Sequence, residues 1–291
     1  MDDRDKAQEL HQQAQLLSDE GKDDEAIKLY HEAIDLDPGK SESFYNIGLI
    51  YKYRGDWQES FEWNRRANQL DPSDESSRWN LAIAATALRD WKVARQAWID
   101  QGISLDGDEG PIEMNFGPAP VRLNANVGGE VVWATRIDPV RARIDNVPYP
   151  DSGFRFGDVV LHDGAATGMP TRNGREYGVF NVLELFERSS FFTVEVNVLA
   201  PSNDDLEKLE QIFAGADVPL EIWSKNVRAI CRQCSEGIPR EHHGCDLDEA
   251  DSNEHRVGIA ASDSGNVEAL LTRWQSGSGG TVVSMVKHLQ Q

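Results

Sequence analysis

Cysteine is scarce in this chain. Its 291 residues include three, and all of them fall in one stretch, CRQCSEGIPREHHGC at 231–245, so any sulfur chemistry is confined to one place. Long apolar runs are missing as well. No stretch of about 18 apolar residues occurs, which weighs against a membrane-spanning helix. The opening MDDRDKAQEL lacks the basic-then-apolar pattern of a signal peptide. We therefore expect a soluble, cytoplasmic protein without membrane attachment. Positive charge is the third shortage: 29 Lys and Arg stand against 50 Asp and Glu, a net charge of −21. The deficit is spread evenly, with 13 basic against 23 acidic residues in 1–108 and 16 against 27 in 109–291. A field of that sign repels phosphate backbones and anionic lipid, which argues against general nucleic-acid or membrane binding. It fits either a highly soluble surface or an acidic docking face.

What the chain does have is ample material for several cores. Hydrophobic residues make up 39%, with eight Trp and ten Phe, a globular composition long enough for two or three domains. Near the N-terminus a motif returns: DLDPGK at 35–40 is followed at an interval of 34 by QLDPSD at 69–74, and SLDGDE stands at 104–109. In that register the first unit carries Leu10, Ala14, Leu17, Gly21, Ala26, Tyr30, Ala33 and Pro38. The second has Phe44, Gly48, Tyr51, Gly55, Ser60, Ala67 and Pro72 in the equivalent places. The third keeps Leu81, Ala82, Ala94 and Trp98 but places Arg78, Ala85, Arg89, Gln101 and Asp106 where other residue types are expected. Each unit reads as two amphipathic helices, with small residues (Ala14, Gly48, Ala82) where paired helices approach closely.

These residues resemble the tetratricopeptide repeat (TPR) family over about a third of the chain. The resemblance implies a stacked helical array whose concave surface is lined by the first helix of each pair. In this family that surface docks peptides or proteins. The candidate groove residues are His11 and Gln15, then Tyr45, Asn46, Leu49 and Lys52, then Trp79, Asn80, Ile83 and Thr86. The family's carboxylate clamp for acidic chaperone tails requires Lys and Asn in repeat one and Lys and Arg in repeat three. Here His11, Gln15, Ser76 and Asn80 occupy those places and only Asn46 fits, which weighs against such a clamp. Asn46 and Asn80 can bond the main chain of an extended peptide while Tyr45, Trp79, Leu49 and Ile83 take its side chains. The alternative is that these residues pack against the protein's own downstream domain.

From 109 to 189 short alternating runs punctuated by Gly, Pro, Asn and Asp predict a small β-barrel-like domain, SH3-like or OB-like, without long helices. His162 and Asp163 in VLHDG could serve as an acid–base pair, but the segment reads more simply as a hairpin turn. Arg136, Arg141 and Arg143 could bind an anion, although a solvated barrel face suits them better. Residues 190–291 then follow the order strand, helix, strand, strand, helix, strand. That βαββαβ order predicts a ferredoxin-like domain, with 219–230 as its second strand.

On this plan the cysteine segment lies in a 231–254 insertion between adjacent strands. Cys231 and Cys234 have the C-x2-C spacing of a metal knuckle, and Cys245 with His242, or His243 as the alternative ligand, completes a Cys3His set for a structural zinc ion. Its rivals are a redox-active C-x-x-C, which usually begins a helix, and no metal at all. A zinc deaminase is excluded because Glu241 precedes His242 and Ile230 stands where proline is required. The fold expected is multidomain α+β: an α-solenoid of three TPR-like helix pairs at 1–108, the β domain at 109–189 and the zinc-bearing ferredoxin-like domain at 190–291. The function expected is a non-catalytic adaptor that binds a protein or peptide partner. The competing readings are an RNA- or ribosome-associated factor using a basic tip of Lys225, Arg228, Arg232 and Arg240, and a metalloenzyme with its site between the β domains.

Overall fold

The computed structural model describes residues 2–127, 129–168, 171–172, 175–225 and 253–288. The chain divides into two units, Met1–Met114 and Asn115–Gln291.

Six helices build the first unit: α1 (Asp3–Asp19), α2 (Asp23–Leu36), α3 (Ser41–Arg54), α4 (Trp57–Leu70), α5 (Glu75–Ala87) and α6 (Trp91–Asp100). Each packs against its neighbours in sequence, so the three helix pairs form one stack. The repeated motif explains the punctuation. Within a pair the chain turns at a left-handed residue, Gly21 (φ 75°), Gly55 (φ 74°) and, in the third pair, Arg89 (φ 60°). Between pairs the aspartate before the proline closes a local turn: Asp37 accepts from Gly39 N at 3.2 Å and Asp71 from Ser73 N at 3.0 Å. The Asp2 and Asp74 side chains then cap α1 and α5.

Ala14, Ala26, Tyr30, Ile47 and Ile50 form the core of the first two pairs. Gly48 is the point of closest approach. A Cβ there would lie 2.5 Å from Asn64 Nδ2 on α4. After α6 the chain is held without a further helix. Buried Arg95 donates to the carbonyls of Asp106 (3.1 Å), Gly107 (2.8 Å), Gly110 (2.8 Å) and Pro111 (3.3 Å).

In the second unit, β1 (Pro118–Arg122), β2 (Val131–Arg136), β3 (Arg141–Ile144), β4 (Val159–Ala166) and β7 (Phe180–Glu187) make a closed barrel, completed by the parallel pairing of β1 with β7. A short ladder, β5 (Thr171–Arg172) with β6 (Arg175–Glu176), lies between β4 and β7 in sequence. Val121, Leu123, Val132, Ala134, Ala142, Ile144 and Val160 fill the barrel.

The remaining strands, β8 (Phe192–Leu199), β9 (Leu220–Ile222), β10 (Glu254–Ala261) and β11 (Thr281–His288), form a sheet in the order β11-β8-β10-β9, antiparallel throughout. Helices α7 (Asn203–Ala214) and α8 (Ser264–Gly277) pack on this sheet. Val194, Val196 and Val198 meet Leu206, Leu209 and Phe213 of α7 and Leu271 and Trp274 of α8. Burial of each such side chain contributes about 1.5–3 kcal/mol. The second strand is shorter than 219–230. It ends at Ile222 because Trp223 turns inward, where its Nε1 donates to Val147 O at 2.9 Å. Gly258 leaves room for the indole, since a Cβ there would lie 2.1 Å from it.

Candidate functional site

The first two helix pairs enclose an open cavity of about 740 Å³ lined by Gln12, Gln15, Leu16 and Asp19 of α1, Tyr30 of α2, and Asn46, Leu49, Ile50 and Tyr53 of α3, among others. A second cavity of about 500 Å³ shares Gln15 and Asn46 with it and extends past Tyr45 and His11 to Asp71, Asp74 and Ser76. Five of the sequence-predicted groove residues, His11, Gln15, Tyr45, Asn46 and Leu49, thus line adjoining space.

Their surroundings differ. Gln15 is exposed, whereas Asn46 is half-buried and donates its Nδ2 hydrogen to the Tyr30 hydroxyl at 3.1 Å. Burial, the larger cause, together with nearby Asp19 and Asp23 pushes the Tyr30 phenol up to about 12, against the smaller opposing effect of the Asn46 bond, so the group stays neutral. His11 is buried, its Nδ1 lies 2.9 Å from Ser43 Oγ and its ring meets Tyr30 edge-on. Desolvation, and then the charge of Lys40, hold the imidazole below its usual range.

The remaining five groove candidates are placed otherwise. Lys52 and Asn80 are buried and joined, Nζ to Oδ1, at 3.3 Å. Ile83 and Thr86 are fully buried, and half-buried Trp79 stacks edge-on against Trp98. The expectation that positions 80, 83 and 86 face a partner is therefore corrected for this structure: their side chains are enclosed. Sequence reasoning missed Gln12, Leu16, Asp19 and Tyr53. The signal was present, because 12, 15, 16 and 19 fall on one face of α1 by helical spacing, and Leu16 stands there 64% exposed.

Two readings of the barrel are also corrected. The HDG segment is not a hairpin turn: His162 and Asp163 are both buried within β4, which is irregular between His162 and Ala166. The His162 Nδ1 pairs with Asp163 O at 2.8 Å, its Nε2 is buried without a partner among the described residues, and desolvation lowers its pKa to about 4. The imidazole is fully buried against the Phe180 ring, with the centroids 5.0 Å apart, which suits a packed neutral side chain. Nor is Arg141 on a solvated face. It is buried, with its Nε donating to Asp138 Oδ2 at 2.5 Å and its guanidinium over the Phe186 ring. Arg136 is half-buried and Arg143 exposed.

The candidate metal ligands Cys231, Cys234, His242, His243 and Cys245, and the expected basic tip at Arg228, Arg232 and Arg240, lie outside the described residues. Among the described residues no group of three His, Cys, Asp or Glu is placed to hold a metal ion, and no helix is long and apolar enough to cross a membrane.

Comparison with known proteins bears on the first unit. A family model for the TPR repeat matches residues 14–53. The TPR repeat-containing protein YpiA of Bacillus subtilis (strain 168) is 30% identical over 78 residues, 27% of this chain and 18% of that protein. The photosystem I assembly protein Ycf3 of Cyanophora paradoxa is 40% identical over 67 residues, 22% of this chain and 39% of that protein. The match thus spans less than half the length of either curated relative. Among solved structures, the first TPR of Spaghetti (RPAP3) bound to HSP90 peptide SRMEEVD aligns with a TM-score of 0.33 and 23% identity, over 34% of this chain and 79% of that one. The Sgt2 TPR domain from Aspergillus fumigatus aligns with a TM-score of 0.31 and 21% identity, over 33% and 63%. The N-terminal region is a TPR region.

Proposed function

We propose that the chain is a non-catalytic, cytoplasmic interaction adaptor whose TPR groove binds an extended peptide segment of a protein partner. The observation that carries this reading is the open 740 Å³ cavity between α1 and α3. It has the size of a ligand site and combines carboxamides, Gln15 and Asn46, with apolar side chains, Leu16 and Leu49. Carboxamides bond a main chain in either sense, and apolar walls accept side chains, the division of labour that extended-peptide recognition uses. The second unit is then a folded passenger or a second contact surface. Its sheet order, fourth, first, third, second, supports reading residues 190–291 as ferredoxin-like. The structural zinc rests on the sequence of 231–245 and is carried forward on that ground.

The test compares the full chain with a Leu49→Lys variant as bait in extract from the native source. The variant places a charge in the apolar wall. Loss of the same captured proteins, with the thermal unfolding midpoint unchanged, supports groove docking. An unaltered capture profile refutes it.

A further inference from the structure

The two adjoining cavities are lined by five carboxylates, Asp19, Asp23, Glu42, Asp71 and Asp74, and by no Lys or Arg among the described residues. Nearby cations offset two of them: Arg54 lies 3.7 Å from Asp23 and Lys40 lies 3.8 Å from Glu42. Asp19 is exposed and makes no ion pair among the described residues. Asp71, with Ser73 Oγ donating to it at 2.6 Å, is held below the usual carboxylate range and stays ionised. Asp74 accepts from the Ser76 and Ser77 amides, at 3.0 and 3.1 Å. The same walls expose apolar surface, with Leu16 64% and Tyr53 62% accessible.

Resting on the docking reading above, we propose that the occupant is a cationic amphipathic peptide, whose Lys or Arg side chains meet Asp19, Asp71 and Asp74 while an aliphatic side chain packs on Leu16 and Leu49. Charge complementarity carries the inference. The five carboxylates line two cavities that share Gln15 and Asn46, and a ligand spanning both lies within about one Debye length, ~8 Å at physiological salt, of several of them. An acidic segment there would face net repulsion, since the cavities are lined by no Lys or Arg among the described residues, and Arg54 and Lys40 nearby offset only Asp23 and Glu42. A basic segment gains at each step, and the apolar contacts fix its register. The groove thus has the opposite sign preference to a clamp built for acidic tails.

The test uses the full-length protein and three labelled peptides of about eight residues. All share one Leu and Tyr pattern, and their intervening positions are Lys and Arg, Gln, or Glu. Binding is read by fluorescence anisotropy. We expect the basic peptide to bind at least about tenfold more tightly than the Gln peptide and the Glu peptide not to bind. The basic peptide should also weaken steeply between about 50 and about 300 mM salt. Two variants separate the groove from the overall charge of −21. Asp19→Lys should weaken the basic peptide several-fold, and Leu16→Ser, which leaves charge unchanged, should weaken all binding. Equal or tighter binding of the Gln or Glu peptide, lost in Leu16→Ser, overturns the charge preference and leaves groove docking standing. Binding of the basic peptide that neither variant alters is diffuse attraction to an acidic protein, and it overturns the proposed site. Failure of all three peptides overturns both the preference and the docking reading. Circular dichroism of each variant confirms that the helices are retained.

Discussion

Gly48 and Asn64 compete for the same space: a methyl group on Gly48 would stand 2.5 Å from Asn64 Nδ2 and 3.1 Å from Asn64 N. The asparagine cannot easily yield. Its Nδ2 donates to Ser60 O at 2.8 Å and contacts Ser60 Oγ at 3.2 Å, while Ser60 Oγ donates to Gly48 O at 2.9 Å. The second repeat is thus closed by a hydrogen-bonded seam that only a missing side chain permits. Gly48→Ala should destabilise the first unit by about 1–3 kcal/mol, the usual cost of forcing extra volume into a packed interior. Urea denaturation followed by helical circular dichroism measures it. Gly277→Ala at the end of α8, where an added Cβ meets nothing within 4 Å, is the control. There the substitution should be neutral or stabilise by up to about 1 kcal/mol.

Arg95 offers a second test. One guanidinium holds four carbonyls of residues 106–111, so the end of the array is fixed by charge-assisted hydrogen bonds rather than by a further helix. Arg95→Ala removes them all and should cost about 2 kcal/mol or more. Hydrogen exchange should accelerate across 103–112, while the amides of α1 and α2 keep their protection.

His162 makes stability depend on pH. Its folded pKa, about 4, lies below the 6.5 of an exposed histidine, and burial is the main cause. Above pH 6.5 both states are neutral there and the full stability is present. As pH falls from 6.5 towards 4 the unfolded chain takes up a proton that the barrel refuses, and stability is lost. The total approaches about 3 kcal/mol. His11, shifted in the same direction, adds to the loss. Guanidinium unfolding at pH 7 and pH 4.5 should show the barrel losing stability, and His162→Gln should flatten the dependence. An unchanged slope in that variant would locate the titration elsewhere.

How much of this was legible beforehand follows from the kind of signal involved. The repeats announced themselves because Gly21, Gly55, Pro38 and Pro72 each solve a backbone problem that few other residues can solve. The third repeat was fainter. Arg89 adopts the same left-handed turn as the two glycines and so carries no recognisable letter. Alternation placed Val194, Val196 and Val198 in a core face, as their packing against α7 and α8 requires. The burial of Arg141, by contrast, depends on Asp138 folding back onto it, and a three-residue spacing in a loop does not reveal that. Groove residues were half legible. Helical spacing says which positions share a face, but not which face is covered, and Asn80 and Ile83 were lost to burial that no local pattern encodes.

The zinc expectation can be tested without reference to the fold. Three thiolates and one imidazole form a closed tetrahedral set that leaves no position for water, so the ion would act as a staple rather than a catalyst. Purified protein should contain about one zinc per chain by elemental analysis, and Cys234→Ser should release it. Between the histidines, His242 leaves two residues before Cys245 and repeats the C-x2-C spacing, whereas His243 leaves only Gly244. His242→Ala should therefore lower the zinc content more than His243→Ala. An ion held by these four side chains would tie the 231–245 stretch to itself, so its removal should destabilise the second unit and open residues 231–254 to protease. The helical signal of the repeats should persist, since every candidate ligand lies beyond residue 114. Zinc-free protein whose three thiols alkylate freely under native conditions would refute the site.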